Sequence, residues 1–122
     1  QGYSELQYRD FRLRQSPTGA CYLEGVVINQ GKYRDCAVLQ GYRRCLTAGF
    51  AARTSELIAC EKVWLEAGQS LPVRLDLGTR VNLVYSLRRR YEHAEGRYQL
   101  SLMDQGRLLW RGELQLDARQ LP

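Results

Sequence analysis

The chain has 122 residues, of which 44% are apolar and 25% charged, and its formal net charge is +5. That length supplies one core and one domain, and that composition excludes wholesale disorder. No run of about 18 apolar residues occurs, which excludes a bilayer-spanning helix, and the arginine surplus suits anionic partners or simply keeps exposed strand faces soluble.

From Tyr3 to Arg14 the sequence alternates but changes phase: Leu6 and Tyr8 share one parity, Phe11 and Leu13 the other. One inserted residue near Arg9-Asp10, a β-bulge, reconciles the two halves. Ser16-Pro17-Thr18-Gly19 is a turn sequence. Cys21 to Asn29 is the next strand; it is apolar on both faces around Val26-Val27-Ile28 and is therefore expected at the centre of a sheet. After a turn at Gln30-Gly31-Lys32, a strand is expected over Asp35–Leu46, interrupted at Gln40-Gly41. A short helical or irregular piece at Ala48–Arg53 and a strand at Leu57–Glu66 follow. Leu71, Val73, Leu75 and Leu77 alternate with polar residues and Pro72, which lacks an amide hydrogen and belongs at a strand start or sheet edge. Val81, Leu83, Tyr85 and Leu87 alternate again.

Gly96 to Asp117 reads as a hairpin. Tyr98, Leu100 and Leu102 fall on one face, and Leu108, Trp110, Leu114 and Leu116 share a parity beyond the Asp104-Gln105-Gly106 turn. Gly112 sits on the apolar parity and marks a bulge or a close backbone contact. Two strands bury too little to stand alone. The expectation is one all-β domain over 1–122, a single antiparallel β-sandwich or small open barrel of seven or eight short strands.

The cysteines are Cys21, Cys36, Cys45 and Cys60, with no C-x-x-C pair among them. An even count in a small β-rich chain fits disulfides and an oxidising compartment, against the alternative of buried thiols. The nested pairing is expected, Cys36 with Cys45 inside Cys21 with Cys60. His93, the single histidine, lies in the polar stretch Glu92-His93-Ala94-Glu95 and reads as an exposed loop residue. No serine-nucleophile elbow, P-loop or dinucleotide fingerprint is present. No enzyme activity, metal or cofactor is expected.

Arg88-Arg89-Arg90, flanked by Tyr85 and Tyr91 and followed by Arg97, is the main charge feature, with Arg43-Arg44 as a second basic spot. Alternation sends Arg88 and Arg90 to one side of a strand and Arg89 to the other. Stacking and phosphate contact with single-stranded nucleic acid is conceivable for such a mix. It lacks any RNA-binding signature and does not suit an extracytoplasmic protein, so an anionic surface or acidic peptide is the expected contact.

Leu23-Glu24-Gly25-Val26-Val27-Ile28 and Val63-Trp64-Leu65-Glu66-Ala67-Gly68-Gln69-Ser70-Leu71-Pro72-Val73-Arg74-Leu75, in that order and separation, resemble the type III secretion lipoprotein chaperones, the YscW-like pilotins, and the related YbaY-like lipoprotein domains. The start at Gln1 would suit a mature chain numbered after a lipidated cysteine. The resemblance implies a β-sandwich lipoprotein at the inner leaflet of the bacterial outer membrane, on the periplasmic side, held by an N-terminal lipid that this chain does not contain. It would bind an outer-membrane secretin subunit and direct it to that membrane, with no catalytic residues. The expected partner contacts are Arg88, Arg89, Arg90, Arg97, Tyr85 and Tyr91. The alternative of another class is a periplasmic inhibitor or immunity protein that blocks a cell-wall-active enzyme.

Overall fold

The structure is a computed structural model and describes residues 4–46, 55–79 and 96–116. These form the strands β1 (Leu6–Gln15), β2 (Ala20–Asn29), β3 (Asp35–Cys45), β4 (Ser55–Leu65), β5 (Ser70–Thr79), β6 (Gly96–Asp104) and β7 (Arg107–Leu116). They build an antiparallel sandwich of a three-stranded sheet, β1-β2-β5, and a four-stranded sheet, β4-β3-β6-β7. The chain makes the β1–β2 hairpin, crosses to the other layer for β3 and β4, and returns as β5 beside β2. It then supplies the β6–β7 hairpin beside β3. This is an immunoglobulin-like Greek-key sandwich in which the fourth strand pairs with β3 instead of lying in the opposite sheet. The expected central position of β2 and edge position of the Pro72 strand are both observed.

Alternation places one face of every strand in the core. Leu6, Leu23, Val27, Val73 and Leu75 from the first sheet meet Ala37, Leu39, Leu65, Leu100 and Leu102 from the second. Each fully buried leucine stabilises the fold by about 1.5–3 kcal/mol relative to exposure. Gly41 allows the layers to approach, since a Cβ there would lie 3.1 Å from Leu77 Cδ2 and 3.2 Å from Leu75 Cδ2.

The phase change in β1 is a bulge between Arg9 and Arg12, with Asp10 at φ +60°. Both parities of apolar residue thereby reach one face. β3 is continuous through Gln40-Gly41; the irregularity lies on its partner β4, opposite Gly41 and Tyr42. At the final hairpin, Asp104 pairs with Arg107 across Gln105 and Gly106, both at positive φ, which is the two-residue turn that suits strand twist. Gly112 pairs regularly with Leu100, and its missing Cβ would lie 2.5 Å from the Trp110 ring. The close contact is therefore to a side chain. The bulge comes earlier, between the pairs Leu102–Trp110 and Met103–Leu108. Consequently Leu109 packs on the core and Leu108 faces solvent, the reverse of simple alternation.

Polar contacts at Tyr8 and Asn29 join the layers. The Tyr8 hydroxyl in β1 donates to the Asp104 carboxylate at the β6–β7 turn. Buried Asn29 donates through Nδ2 to the Tyr33 carbonyl at 2.8 Å and the Leu65 carbonyl at 3.2 Å, and its Oδ1 accepts from the Gly31 amide at 2.9 Å. Its backbone N–H reaches the Gln69 carbonyl and its carbonyl accepts from the Gly68 amide. One residue thus fastens both chain crossings, β2 to β3 and β4 to β5.

The expected nested disulfides are not formed: Cys36 and Cys60, one from each expected pair, are free thiols. Cys36 and Cys45 stand at opposite ends of β3, about 30 Å apart at the rise of a strand, far beyond disulfide reach. Cys21 is buried in the β1-β2-β5 layer, and Cys60 is exposed on β4 of the other layer.

Candidate functional site

Tyr85, Arg88, Arg89, Arg90, Tyr91 and His93 lie outside the described residues, as do the piece expected at residues 48–53 and the strand from Val81. Arg97 is placed by its backbone in β6, opposite Gln115 at the end of the sheet. The basic pair at Arg43-Arg44 is divided by strand alternation. Arg43 is buried, 6% exposed, with Nη2 3.4 Å from the Glu56 carboxylate, while Arg44 is exposed on the opposite face.

The solvent face of β4-β3-β6-β7 is the surface best equipped to bind. Its rows follow from the register: Cys36 beside Trp64, Val38 beside Lys62, Met103 beside Gln40 and Leu108, and Tyr42 beside Leu57 and Ser101. Trp64 and Leu57 are each 53% exposed and Leu108 is 46% exposed, so three large apolar side chains stand in solvent on one sheet face. Tyr33, 83% exposed, adds a fourth on the adjoining loop. Arg34 covers part of Trp64, with Cζ 4.5 Å from the ring, and is held by Glu66 at 3.0 Å. Half of the indole still faces water.

The same sheet face is concave over β3 and β6. A depression of about 270 Å³ is lined by Gln40, Tyr42, Ser55, Gln99, Ser101 and Met103, with Arg44 and Arg111 also lining it. The Tyr42 hydroxyl is 3.4 Å from Gln40 Oε1, and Arg111 Nε is 3.5 Å from Ser101 Oγ. Amides and hydroxyls offer donors and acceptors together, as a peptide backbone requires. The lining contains two guanidinium groups and no carboxylate, which favours an acidic segment over a basic one. Among the described residues no group of three or more His, Cys, Asp or Glu gathers as a metal site.

Sequence reasoning missed this face because its members are scattered over four strands and belong to the polar parity of each. One signal was available. Trp64 and Leu57 fall on opposite parities of one strand, which places both on one face only if a bulge intervenes, as it does after Gly41.

No family model matches the chain, and no curated protein sequence does. Solved structures do match. DesR, a β-glucosidase from Streptomyces venezuelae, aligns over 94% of this chain with TM-score 0.71 and 19% identity. A β-glucosidase from Listeria innocua aligns over 93% with TM-score 0.70 and 23% identity. A GH3 β-glucosidase from Bifidobacterium adolescentis aligns over 94% with TM-score 0.69 and 18% identity. The chain spans only 15%, 16% and 17% of these proteins' own lengths, respectively. At such identities the likeness is one of fold: the sandwich described above recurs as one segment of much longer enzymes.

Proposed function

We propose that this chain is a non-enzymatic binding module that holds an extended client segment on the solvent face of β4-β3-β6-β7. The observation that carries this reading is a depression rich in amides and hydroxyls on a sheet face that also exposes Trp64, Leu57 and Leu108. Large apolar side chains left in solvent beside groups that can donate and accept hydrogen bonds suit a docking surface. A sandwich that also recurs as a small segment of longer enzymes is compatible with a role in binding.

The client of choice is the C-terminal segment of an outer-membrane secretin, with the module acting as a pilotin tethered by lipid in the periplasm. This rests on the resemblance of Leu23–Ile28 and Val63–Leu75 to that family. Those segments occupy β2 and the β4–β5 connection, the strand, turn and alternating strand that the resemblance requires. Arg88, Arg89, Arg90 and Arg97, with Tyr85 and Tyr91, keep the role of an additional contact to an anionic surface.

Titration of the chain with that secretin segment, at several salt concentrations, tests the reading. Saturable binding that weakens in Trp64→Ala and Tyr42→Ala is expected. A decline with salt would add the arginines, to be checked by reversing Arg88 and Arg90 to glutamate. Absence of binding at high micromolar concentration sinks the pilotin role. Tight binding to a cell-wall hydrolase instead would establish the inhibitor alternative.

A further inference from the structure

A second polar site lies at one end of the sandwich, and the client face does not account for it. A pocket of about 260 Å³ is lined there by Ser4, Tyr8, Asp35, Asp104, Gln105 and Arg107. Asp104 is only 7% exposed. One of its oxygens accepts from the Tyr8 hydroxyl, while Oδ1 is shielded from bulk water and has no hydrogen-bond partner. Asp35 accepts from Ser4 Oγ at 3.1 Å and from the Cys36 amide at 2.7 Å, both neutral donors. Neither carboxylate belongs to any of the ion pairs among the described residues. Arg107, the nearby cation, lies over the Tyr8 ring with Cζ 5.5 Å from its centroid. Burial, followed by the Asp104 hydrogen bond and charge, raises the Tyr8 pKa far above that of an ordinary phenol, with Asp35 adding to it and Arg107 opposing. Tyr8 therefore remains a neutral donor.

A shielded carboxylate oxygen without a donor loses solvation that nothing among the described residues restores. We propose that this pocket binds a primary ammonium group. Such a group brings three N–H donors. They match the acceptors present: Asp104 Oδ1, the Asp35 carboxylate and the Gln105 side-chain carbonyl. Charge selects the same ligand. Two carboxylates and one guanidinium leave the lining one negative charge in excess, which a monocation neutralises. A divalent ion would place surplus positive charge beside Arg107. The volume admits an alkyl-bearing headgroup, such as a lysine side chain on a protein or a free alkylamine.

Amide NMR of the full chain, following Asp35, Asp104 and Gly106, tests the site with butylammonium, Nα-acetyl-lysine amide and the uncharged Nα-acetyl-norleucine amide. Saturable shifts with the ammonium compounds and none with the norleucine derivative are expected. Asp104→Asn keeps an acceptor for Tyr8 but removes the charge, and should weaken binding by about tenfold or more. Asp35→Asn, at a less buried position, provides a second variant in which the same direction is expected. Equal affinity for both compounds supports the site with a free amine as ligand; preference for the lysine derivative supports it with a protein-borne lysine. No saturable shift, undiminished binding in both variants, or tighter binding of calcium chloride overturns the proposal.

Discussion

The solvent face of β1-β2-β5 presents Arg12, Arg14, Glu24, Arg74 and Asp76, whereas that of β4-β3-β6-β7 presents Trp64, Leu57, Leu108, Tyr42, Gln40 and Gln99. On the first sheet the charges satisfy one another. Arg14 and Arg12 meet Glu24 at 2.7 and 3.5 Å, and Arg74 meets Asp76 at 2.7 Å while covering the Tyr22 ring at 3.7 Å. On the second sheet Leu57 and Leu108 are about half exposed to water, and so is Trp64 even with Arg34 over its ring. Both faces obey the same period-two rule, so alternation alone does not make a binding surface. The difference lies in how much apolar area the outward residues leave to water: a paired charge ladder gains little from a ligand, and half-exposed Trp64, Leu57 and Leu108 gain area.

Four substitutions break or sharpen this contrast. Leu39→Ala removes a side chain from the core that both faces share and should cost about 2–5 kcal/mol in denaturant unfolding. It should weaken whatever either face binds only through loss of folded protein. Tyr8→Phe deletes the hydroxyl that joins the first sheet to the Asp104 turn, and should cost about 1–3 kcal/mol. It carries a pH signature as well. The Tyr8 pKa is raised in the folded state, so its contribution is intact below the unfolded tyrosine value of about 10 and is lost as pH rises beyond it. Wild-type stability should therefore fall more steeply above that pH than the stability of Tyr8→Phe, as read from unfolding midpoints across the alkaline range. Trp64→Ala should change stability by no more than about 1 kcal/mol, because half the ring is exposed, yet lower client affinity by about tenfold in a binding titration. Arg14→Gln should alter stability by less than about 1 kcal/mol and leave client affinity unchanged. If Arg14→Gln rather than Trp64→Ala abolished binding, the two faces would have to exchange roles.

Most of the sandwich could be read from the chain because strand periodicity is local. The phase change at Arg9-Asp10, the central β2 and the turn at Gln105-Gly106 each follow from a few adjacent residues. Leu108 departs from the parity it shares with Trp110 because a bulge inserts one residue between them, which inverts the side chains from there to the turn. The disulfide expectation failed for a related reason: a cysteine count carries no information about which sheet, or which end of a strand, each thiol occupies. The end pocket was invisible for a third reason. Tyr8, Asp35 and Asp104 are far apart in sequence and meet only once both layers are assembled.

That assembly has a consequence for cooperativity, and Asn29 shows it. Neither sheet is built from a continuous stretch of chain, because β5 returns to the first and β6–β7 to the second. The Asn29 side chain finds its partners, the Tyr33 and Leu65 carbonyls, only when both crossings are in place. A half-formed sandwich leaves this amide buried without acceptors or exposed to water, so partial structures gain little from it. Asn29 thus couples the two layers into one folding unit. Its replacement by alanine should appear in hydrogen exchange as earlier opening of β4 relative to β2, separating transitions that the native chain keeps together.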